Sequence, residues 1–312
     1  MDQVFKAYDV RGTVPDQLDA DMCRAIGRAV ARFAGAPELL VARDMRESGV
    51  ALSAAFSDGV RSEGVDVTDL GLASTDFLYF ASGYLRAPGA MFTASHNPAQ
   101  YNGMKLCLSG ARPIGRDTGL ADIAREAEKL LDEPAGPPTG AWRERNLLDE
   151  WAAHVISFVD VDVLRPLTIV ADTANGMGGL VVPTVFGRLP FSVEILFPEL
   201  DGTFPNHPAD PIQQENLVDL KRAVLARGAD VGLAFDGDAV DHGVTLAQPR
   251  VVEDVLVGEP QQRFLVDGTG QDVEQERVKA HGSSSGSSGS SESSGSSVLP
   301  DEIETKEAPA PA

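Results

Sequence analysis

The chain has 312 residues, of which 43% are hydrophobic and 23% are charged, a composition typical of globular proteins with room for two domains. The formal net charge of −21 makes duplex nucleic acid and anionic membrane surfaces unfavourable partners. With two cysteines, no apolar N-terminal run and no apolar stretch of membrane-spanning length, we expect a cytoplasmic protein without a disulfide framework.

The first 131 residues alternate short apolar strands with amphipathic helices, a pattern that favours a layered α/β domain with functional loops at strand ends. Arg11 precedes Gly12 at the end of the first strand, where its guanidinium can project into a cleft. Strands and helices are then predicted at 19–35, 39–42, 48–64, 65–70 and 117–131. Arg46 follows the second strand, and we expect it to be an exposed surface charge.

The stretch from Met91 to Leu106 combines two apolar runs with a polar loop. Pro98 stiffens this loop, and Asn102-Gly103 is expected to supply the positive φ angles of a tight return. Ser95 therefore lies at a strand end beside His96, with Lys105 on the returning strand. This arrangement suits a nucleophilic hydroxyl or its phosphate ester. The alternative is an ordinary loop whose polar side chains satisfy their own backbone.

The segment 132–140 is rich in proline and glycine and is predicted to be a domain boundary. After it, helices are predicted at 147–159 and 215–227, and strands at 167–170, 191–197 and 230–235. His207 lies in a proline-rich loop without an acidic neighbour at ligand spacing, so we expect an ordinary loop residue.

The strand over residues 230–235 leads directly into Asp236 and Asp238. Residues two apart in an extended segment point the same way, and paired carboxylates without cysteine suit Mg²⁺ better than a softer metal. Further along, residues 282–297 consist of glycine, serine and one glutamate, and the end is acidic and rich in proline and alanine. Such a composition cannot form a core, so disorder is predicted there.

The motif T-A-S-H-N-P-x-x-Y-N-G-x-K at residues 93–105 resembles the phosphoserine loop of the α-D-phosphohexomutases, the phosphomannomutase/phosphoglucomutase family. The segments Y-D-V-R-G, R-D-M-R, D-G-T-F-P-N-H and D-G-D-A resemble further motifs of this family. The resemblance implies two consecutive layered α/β domains with mixed sheets. Domain 1 would span 1–135 with the phosphoserine loop, and domain 2 would span 141–242 with the metal loop. Residues 243–312 would form an unrecognised segment and a largely disordered tail.

The resemblance also implies a reaction, in which a phosphoryl group moves between O1 and O6 of mannose or glucose phosphates through a phosphoserine and Mg²⁺. Hexose phosphate and hexose bisphosphate are the implied partners. The implied catalytic residues are Ser95, Arg11, Lys105 and His96, the substrate-binding residues are Arg43 and Asn97, and the metal ligands are Ser95, Asp236, Asp238 and Asp241.

The sequence also departs from the family pattern. Val240 moves Asp241 to three residues after Asp238 instead of two, and His242 replaces an arginine. The family's sugar-recognising E-x-S-G-H motif and its distal phosphate-binding loop do not occur. We therefore expect impaired turnover by this chain. Two alternatives stay open, a non-catalytic truncated or frame-disrupted remnant that keeps the fold and phosphate binding, and a small phosphatase that uses Ser95. The hexose and the oligomeric state also stay open.

Overall fold

Seven strands form the first sheet of the protein. In the computed structural model, which describes residues 1, 3–239, 242–246 and 265–266, their order is β1-β5-β4-β2-β3-β7, with β6 paired to β5. β5 is antiparallel to β1 and β4, whereas β4, β2, β3 and β7 are parallel, so the predicted mixed sheet is confirmed. The strands are β1 Val10–Thr13, β2 Glu38–Arg43, β3 Asp66–Leu72, β4 Gly89–Phe92, β5 Tyr101–Leu108, β6 Arg112–Pro113 and β7 Trp142–Glu144.

Helices cover both faces of this sheet, because the side chains of its strands alternate between two apolar clusters. In β2, Leu39 and Val41 join the cluster beneath α1, α2 and α4, while Leu40 and Ala42 join the cluster beneath α3. The helices are α1 Ala20–Ala34, α2 Glu47–Ser62, α3 Thr75–Leu85 and α4 Leu120–Leu130, with a 3₁₀ turn at Arg116–Thr118.

The ends of α1 follow the sequence closely. Asp19 caps its N-terminus, since its carboxylate accepts a hydrogen bond of 2.8 Å from the N–H of Met22. Gly35 ends the helix in the left-handed conformation with φ 58°, which the absence of a Cβ permits. The start of α2 differs by one residue from the predicted range, because the helix begins at Glu47 and Arg46 occupies the N-cap position.

The predicted return at Asn102-Gly103 is wrong. Both residues lie inside β5, where Gly103 pairs with Arg11 of β1, and neither has a positive φ. The glycine serves a close approach between strands instead. A Cβ at position 103 would lie 2.0 Å from the carbonyl oxygen of Val10. The left-handed residue of this region is Ser95, with φ 50°.

A second mixed sheet follows the proline-rich segment, in the order β12-β11-β10-β8-β9. The segment itself contains neither helix nor strand, but β7 lies beyond it and still joins the first sheet through β3. The second sheet comprises β8 Leu167–Asp172, β9 Phe191–Leu196, β10 Val231–Phe235, β11 His242–Leu246 and β12 Leu265–Val266. Its helices are α5 Leu148–Ile156, α6 Gly178–Phe186 and α7 Val218–Arg227, with 3₁₀ turns at Val161–Val163 and Gln214–Leu217.

The two layered units share apolar packing. Trp151 of α5 and Val181 of α6 belong to the same buried cluster as Leu40 and Phe77 of the first sheet and α3. No helix of the part of the chain that the structure describes is long and apolar enough to cross a membrane. The predicted disorder at 282–312 and the carboxylate of Asp241 lie outside the described residues.

Candidate active site

Ser95 occupies the loop between the C-terminal end of β4 and the start of β5, residues 93–100. Its φ of 50° is uncommon for a residue with a side chain. The conformation is held by a hydrogen bond of 2.9 Å from the N–H of Ser95 to Thr93 Oγ1. Ser95 is only 4% exposed, so its hydroxyl lies in a largely water-excluded site. The sequence placed this serine correctly at a strand end.

The loop after β10 lies against the Ser95 loop. The hydroxyl of Ser95 donates a hydrogen bond of 2.5 Å to Asp236 Oδ2. Gly237 permits this approach, because a Cβ there would lie 2.4 Å from the carbonyl oxygen of Ser95. The carbonyl oxygen of Gly237 also accepts a bond of 2.9 Å from the N–H of Met177. The structure thus brings together three of the predicted site residues, Ser95, Asp236 and, on the same loop, Asp238.

Asp238 is fully buried and is held by two donors from the first layered unit. Lys105 Nζ lies 2.9 Å from Asp238 Oδ2, and Thr75 Oγ1 donates to the same oxygen at 2.7 Å. Burial pushes the pKa of Asp238 upward. The positive charge of Lys105 and side-chain hydrogen bonds with Asp236, Thr75 and Lys105 outweigh that effect, so its pKa is lowered. The same contact outweighs the burial of Lys105 and raises its pKa. Both groups are therefore charged at neutral pH.

The donor set fits a hard divalent cation. Asp236 and Asp238 supply carboxylate oxygens, Ser95 supplies a hydroxyl, and oxygen ligands are those that Mg²⁺ prefers. Asp238 Oδ1 is buried without a hydrogen-bond partner in the described part of the chain, and such an oxygen is costly unless a cation or water satisfies it. Within that same part, no three His, Cys, Asp or Glu side chains converge; Asp241, the third predicted ligand, lies outside it.

Arg11 reaches the Ser95 loop from β1. Its Nη1 donates a hydrogen bond of 2.5 Å to Asn97 Oδ1, and its Nη2 forms an ion pair of 2.5 Å with Asp9. Its Nε is buried without a partner among the described residues. Arg11 and Asn97 are thus brought to the site together. The Nε–H of the guanidinium can still donate a hydrogen bond to a ligand.

The two other predicted site residues are not drawn into this network. Arg43 Nη1 reaches the carbonyl oxygen of Asp44 at 3.5 Å, and His96 is exposed. Arg43 was predicted to bind the substrate and His96 to be catalytic, and both roles stay predictions.

The expectation for Arg46 is wrong, since this side chain is 1% exposed. Its guanidinium pairs with the buried carboxylate of Asp44 at 3.2 Å and lies 5.0 Å from the centre of the Phe204 ring. It donates to three backbone carbonyls of the Ser95 loop, those of Ser95, Asn97 and Pro98, at 2.9, 2.7 and 2.9 Å, and to that of Tyr101 at the start of β5 at 3.2 Å. Arg46 therefore fixes the backbone on which Ser95 stands.

The sequence reasoning also missed a pair in the second unit. His207 was expected to be an ordinary loop residue, because no acidic residue lies at ligand spacing in the sequence. In the structure its Nε2 lies 3.1 Å from Asp172 Oδ2, and its Nδ1 lies 2.8 Å from the carbonyl oxygen of Pro208. The hydrogen bond to Asp172 is the main cause that raises the pKa of His207. The pair ties the proline-rich loop to the end of β8, near the Gly176 turn that supports Gly237.

Comparisons with known proteins point to one protein family. The family model described as phosphoglucomutase/phosphomannomutase, alpha/beta/alpha domain I, matches residues 2–133, and the domain II model matches residues 149–246. A protein named phosphohexose mutases from Xanthomonas campestris is 43% identical over 235 residues, which is 75% of this chain and 52% of the relative. The phosphomannomutase of Escherichia coli K12 is 40% identical over 242 residues, which is 75% of this chain and 53% of the relative.

Solved structures show the same relationship. A phosphoglucomutase/phosphomannomutase family protein from Burkholderia thailandensis superposes with a TM-score of 0.70 at 36% identity, covering 79% of this chain and 55% of that one. A putative phosphomannomutase from Thermus thermophilus superposes with a TM-score of 0.66 at 25% identity, covering 78% and 56%. The chain thus spans about half the length of the curated relatives it matches. With both family domains matched over folded residues that carry the serine and aspartate loops, this chain belongs to the phosphoglucomutase/phosphomannomutase family.

Proposed function

We propose that Ser95 accepts and donates a phosphoryl group in the phosphohexomutase reaction, which transfers phosphate between O1 and O6 of glucose or mannose phosphates. The observation that carries this proposal is the hydrogen bond of 2.5 Å from the buried Ser95 hydroxyl to Asp236. It supports the proposal, because a buried hydroxyl beside carboxylates that could hold a divalent cation suits phosphoryl transfer.

Charge explains why a cation belongs in this site. A phosphate ester adds about −1.5 to −2 charge beside two buried carboxylates. Phosphoserine has no hydroxyl hydrogen, so the bond from Ser95 to Asp236 cannot survive phosphorylation, and two anions would face each other. Asp236, Asp238 and the ester of Ser95 would hold Mg²⁺, with Asp241 as a further candidate ligand. When bound, Mg²⁺ supplies positive charge that neutralises the transferring oxygens.

The surrounding cations complete the proposal. Lys105 is charged and bound to Asp238, so it can stabilise the charge of the phosphoryl group or donate a proton during its transfer. Arg11 has an unpartnered Nε among the described residues with which it can bind phosphate, and Asn97 holds it in place. We assign Arg43 to binding of the substrate phosphate, and His96 to the catalytic group as the residue that orients the Ser95 loop.

The test is direct phosphorylation. Incubation with glucose 1,6-bisphosphate and Mg²⁺, followed by intact-mass measurement and peptide mapping, should place one phosphate on the peptide that contains Ser95. The Ser95→Ala variant should remain unlabelled, while Ser53→Ala, which removes an exposed helical hydroxyl, should label like the parent. Equal labelling of Ser95→Ala would disprove the assignment. Steady release of inorganic phosphate would instead favour the phosphatase alternative.

A second candidate function is a phosphate-binding remnant without mutase turnover. It is favoured by two departures from the family motif in the aspartate loop, where Val240 displaces Asp241 and His242 stands in place of an arginine. An imidazole cannot supply the fixed bidentate donors of a guanidinium. Loss of one hydrogen bond to a charged group, about 1.5–3 kcal/mol, would slow the reaction by roughly 10–100-fold, at about 1.4 kcal/mol per tenfold.

We therefore expect this chain alone to label at Ser95 but to convert hexose 1-phosphate into hexose 6-phosphate very slowly. A coupled assay with Mg²⁺ and the bisphosphate activator measures the conversion, with a full-length relative as the reference. Turnover within about tenfold of that relative would contradict the remnant interpretation.

A further inference from the structure

Thr75 contacts the aspartate loop from an element that no family motif discussed above contains. It is the first residue of α3, an 11-residue helix, and it is 2% exposed. Its hydroxyl donates 2.7 Å to Asp238 Oδ2, and its N–H lies 3.4 Å from the backbone carbonyl oxygen of Asp238. One residue of the first layered unit thus holds both the side chain and the backbone of a proposed cation ligand in the second.

The contact makes the two oxygens of the Asp238 carboxylate inequivalent. Oδ2 accepts from both Thr75 and Lys105, whereas Oδ1 is buried without a partner in the described part of the chain. Lys105 contributes a charge on a flexible stem, so it attracts the carboxylate without fixing its rotation. The hydroxyl of Thr75 supplies a second donor on a β-branched side chain with few rotamers. The two donors together hold Oδ2 and leave Oδ1 available.

The start of α3 is itself held firmly. Ser74 donates to Asp76 Oδ1, and the indole N–H of Trp151 donates to Asp76 Oδ2 at 3.1 Å. Trp151 and Phe77 lie in the shared apolar cluster. The hydroxyl of Thr75 therefore stands at a helix start that is fixed by a partly buried hydrogen-bond network.

We propose that Thr75 is a positioning residue, which orients Asp238 so that Oδ1 can bind a divalent cation. The inference rests on the proposed function, because that function supplies the cation. Residues that hydrogen-bond to a metal ligand without touching the metal typically alter metal affinity by about 10–100-fold when they are lost. Thr75→Val removes only the hydroxyl and keeps the shape of the side chain, so it tests this role directly.

The experiment titrates the full chain with Mn²⁺, which prefers the same oxygen ligands as Mg²⁺, and follows free and bound Mn²⁺ by electron paramagnetic resonance. Thr75→Val should weaken binding by about 10–100-fold, while Thr75→Ser, which keeps the hydroxyl, should bind nearly as tightly as the parent. Thr68→Val is the matched control. It removes another buried threonine hydroxyl that donates to a carboxylate, that of Glu38, away from the aspartate loop. Thermal unfolding of each variant shows that it is folded.

The inference is overturned if Thr75→Val binds Mn²⁺ as tightly as the parent, if Thr75→Ser binds as weakly as Thr75→Val, or if Thr68→Val weakens binding equally. Labelling of Ser95 in the same samples separates this from the proposed function. A parent that labels at Ser95 while Thr75→Val leaves Mn²⁺ affinity unchanged retains the proposed function and overturns the Thr75 inference. A parent that neither labels at Ser95 nor binds Mn²⁺ overturns both.

Discussion

Replacement of Arg46 by methionine should destabilise the protein strongly, because it removes a buried cation that holds the Ser95 loop. Three of its bonds, to the carbonyls of Asn97, Pro98 and Tyr101, are partly exposed, so water can replace the donor. The bonds to Asp44 and to the carbonyl of Ser95 are buried. Hydrogen bonds to charged groups contribute about 1.5–3 kcal/mol each, so these two account for about 3–6 kcal/mol.

An independent estimate agrees, since removal of one partner from a buried ion pair costs about 3–5 kcal/mol. Urea denaturation should therefore show a lower free energy of unfolding for Arg46→Met by that amount. The control is Arg222→Met in α7, where the ion pair with Asp219 is exposed on both sides and contributes at most about 1 kcal/mol.

The cause can be separated from simple loss of packing. Burial raises the pKa of Asp44, so a carboxylate left without Arg46 is the unfavourable group. In the parent, the N–H of Arg46 donates to the Asp44 carboxylate at 2.9 Å. Asp44→Asn keeps an acceptor oxygen for this N–H and removes the buried charge. The double variant should thus be more stable than Arg46→Met alone. A loss below about 1 kcal/mol in Arg46→Met, or no recovery in the double variant, would refute the reasoning.

Two further predictions concern the loops around the site. Gly237→Ala should slow labelling of Ser95 and destabilise the fold by about 1–3 kcal/mol, because its Cβ would lie 2.4 Å from the carbonyl oxygen of Ser95. The control is Gly83→Ala, where the space is open. Normal labelling of Gly237→Ala would contradict the close fit. Asp172 raises the pKa of His207 above 6.5, so this pair stabilises the fold fully below that pH and less as the pH rises through the folded-state pKa. Parent and His207→Asn should therefore differ most in urea titrations at acidic pH; a difference that grows with pH would have the wrong sign.

The elements that were predictable are those specified by neighbouring residues. The cap of α1 needs only Asp19, the N–H three residues on and Gly35. The continuous apolar run from Leu39 to Ala42 likewise predicts a buried strand, and the structure divides its side chains between the two clusters. Ser95 could be located because its strand, loop and returning strand are consecutive. The repeat of apolar residues along the sequence, every second residue in strands and every 3.6 residues in helices, is what makes such elements predictable.

The residues that were missed depend on contacts between distant segments. Arg46 is buried by carbonyls 49 to 55 residues further along the chain, and nothing near it in the sequence shows that loop. Asp172 lies 35 residues before His207, and Thr75 lies 163 residues before Asp238. The prediction of a positive φ at Asn102-Gly103 failed for a related reason. Gly103 allows the backbone of β1 to come close, and this contact is visible only once the two strands are paired.

The apolar cluster that contains Leu40, Phe77, Trp151 and Val181 has a consequence for folding cooperativity. Separation of the two layered units would expose this surface to water, so neither unit is expected to melt alone, and the pair should unfold in one transition. A protease cut within 132–140 would break the covalent link and leave the interface intact. Amide hydrogens of β2 and β8 should then exchange through the same global opening, and the serine and aspartate loops should keep their relative positions until the whole molecule unfolds.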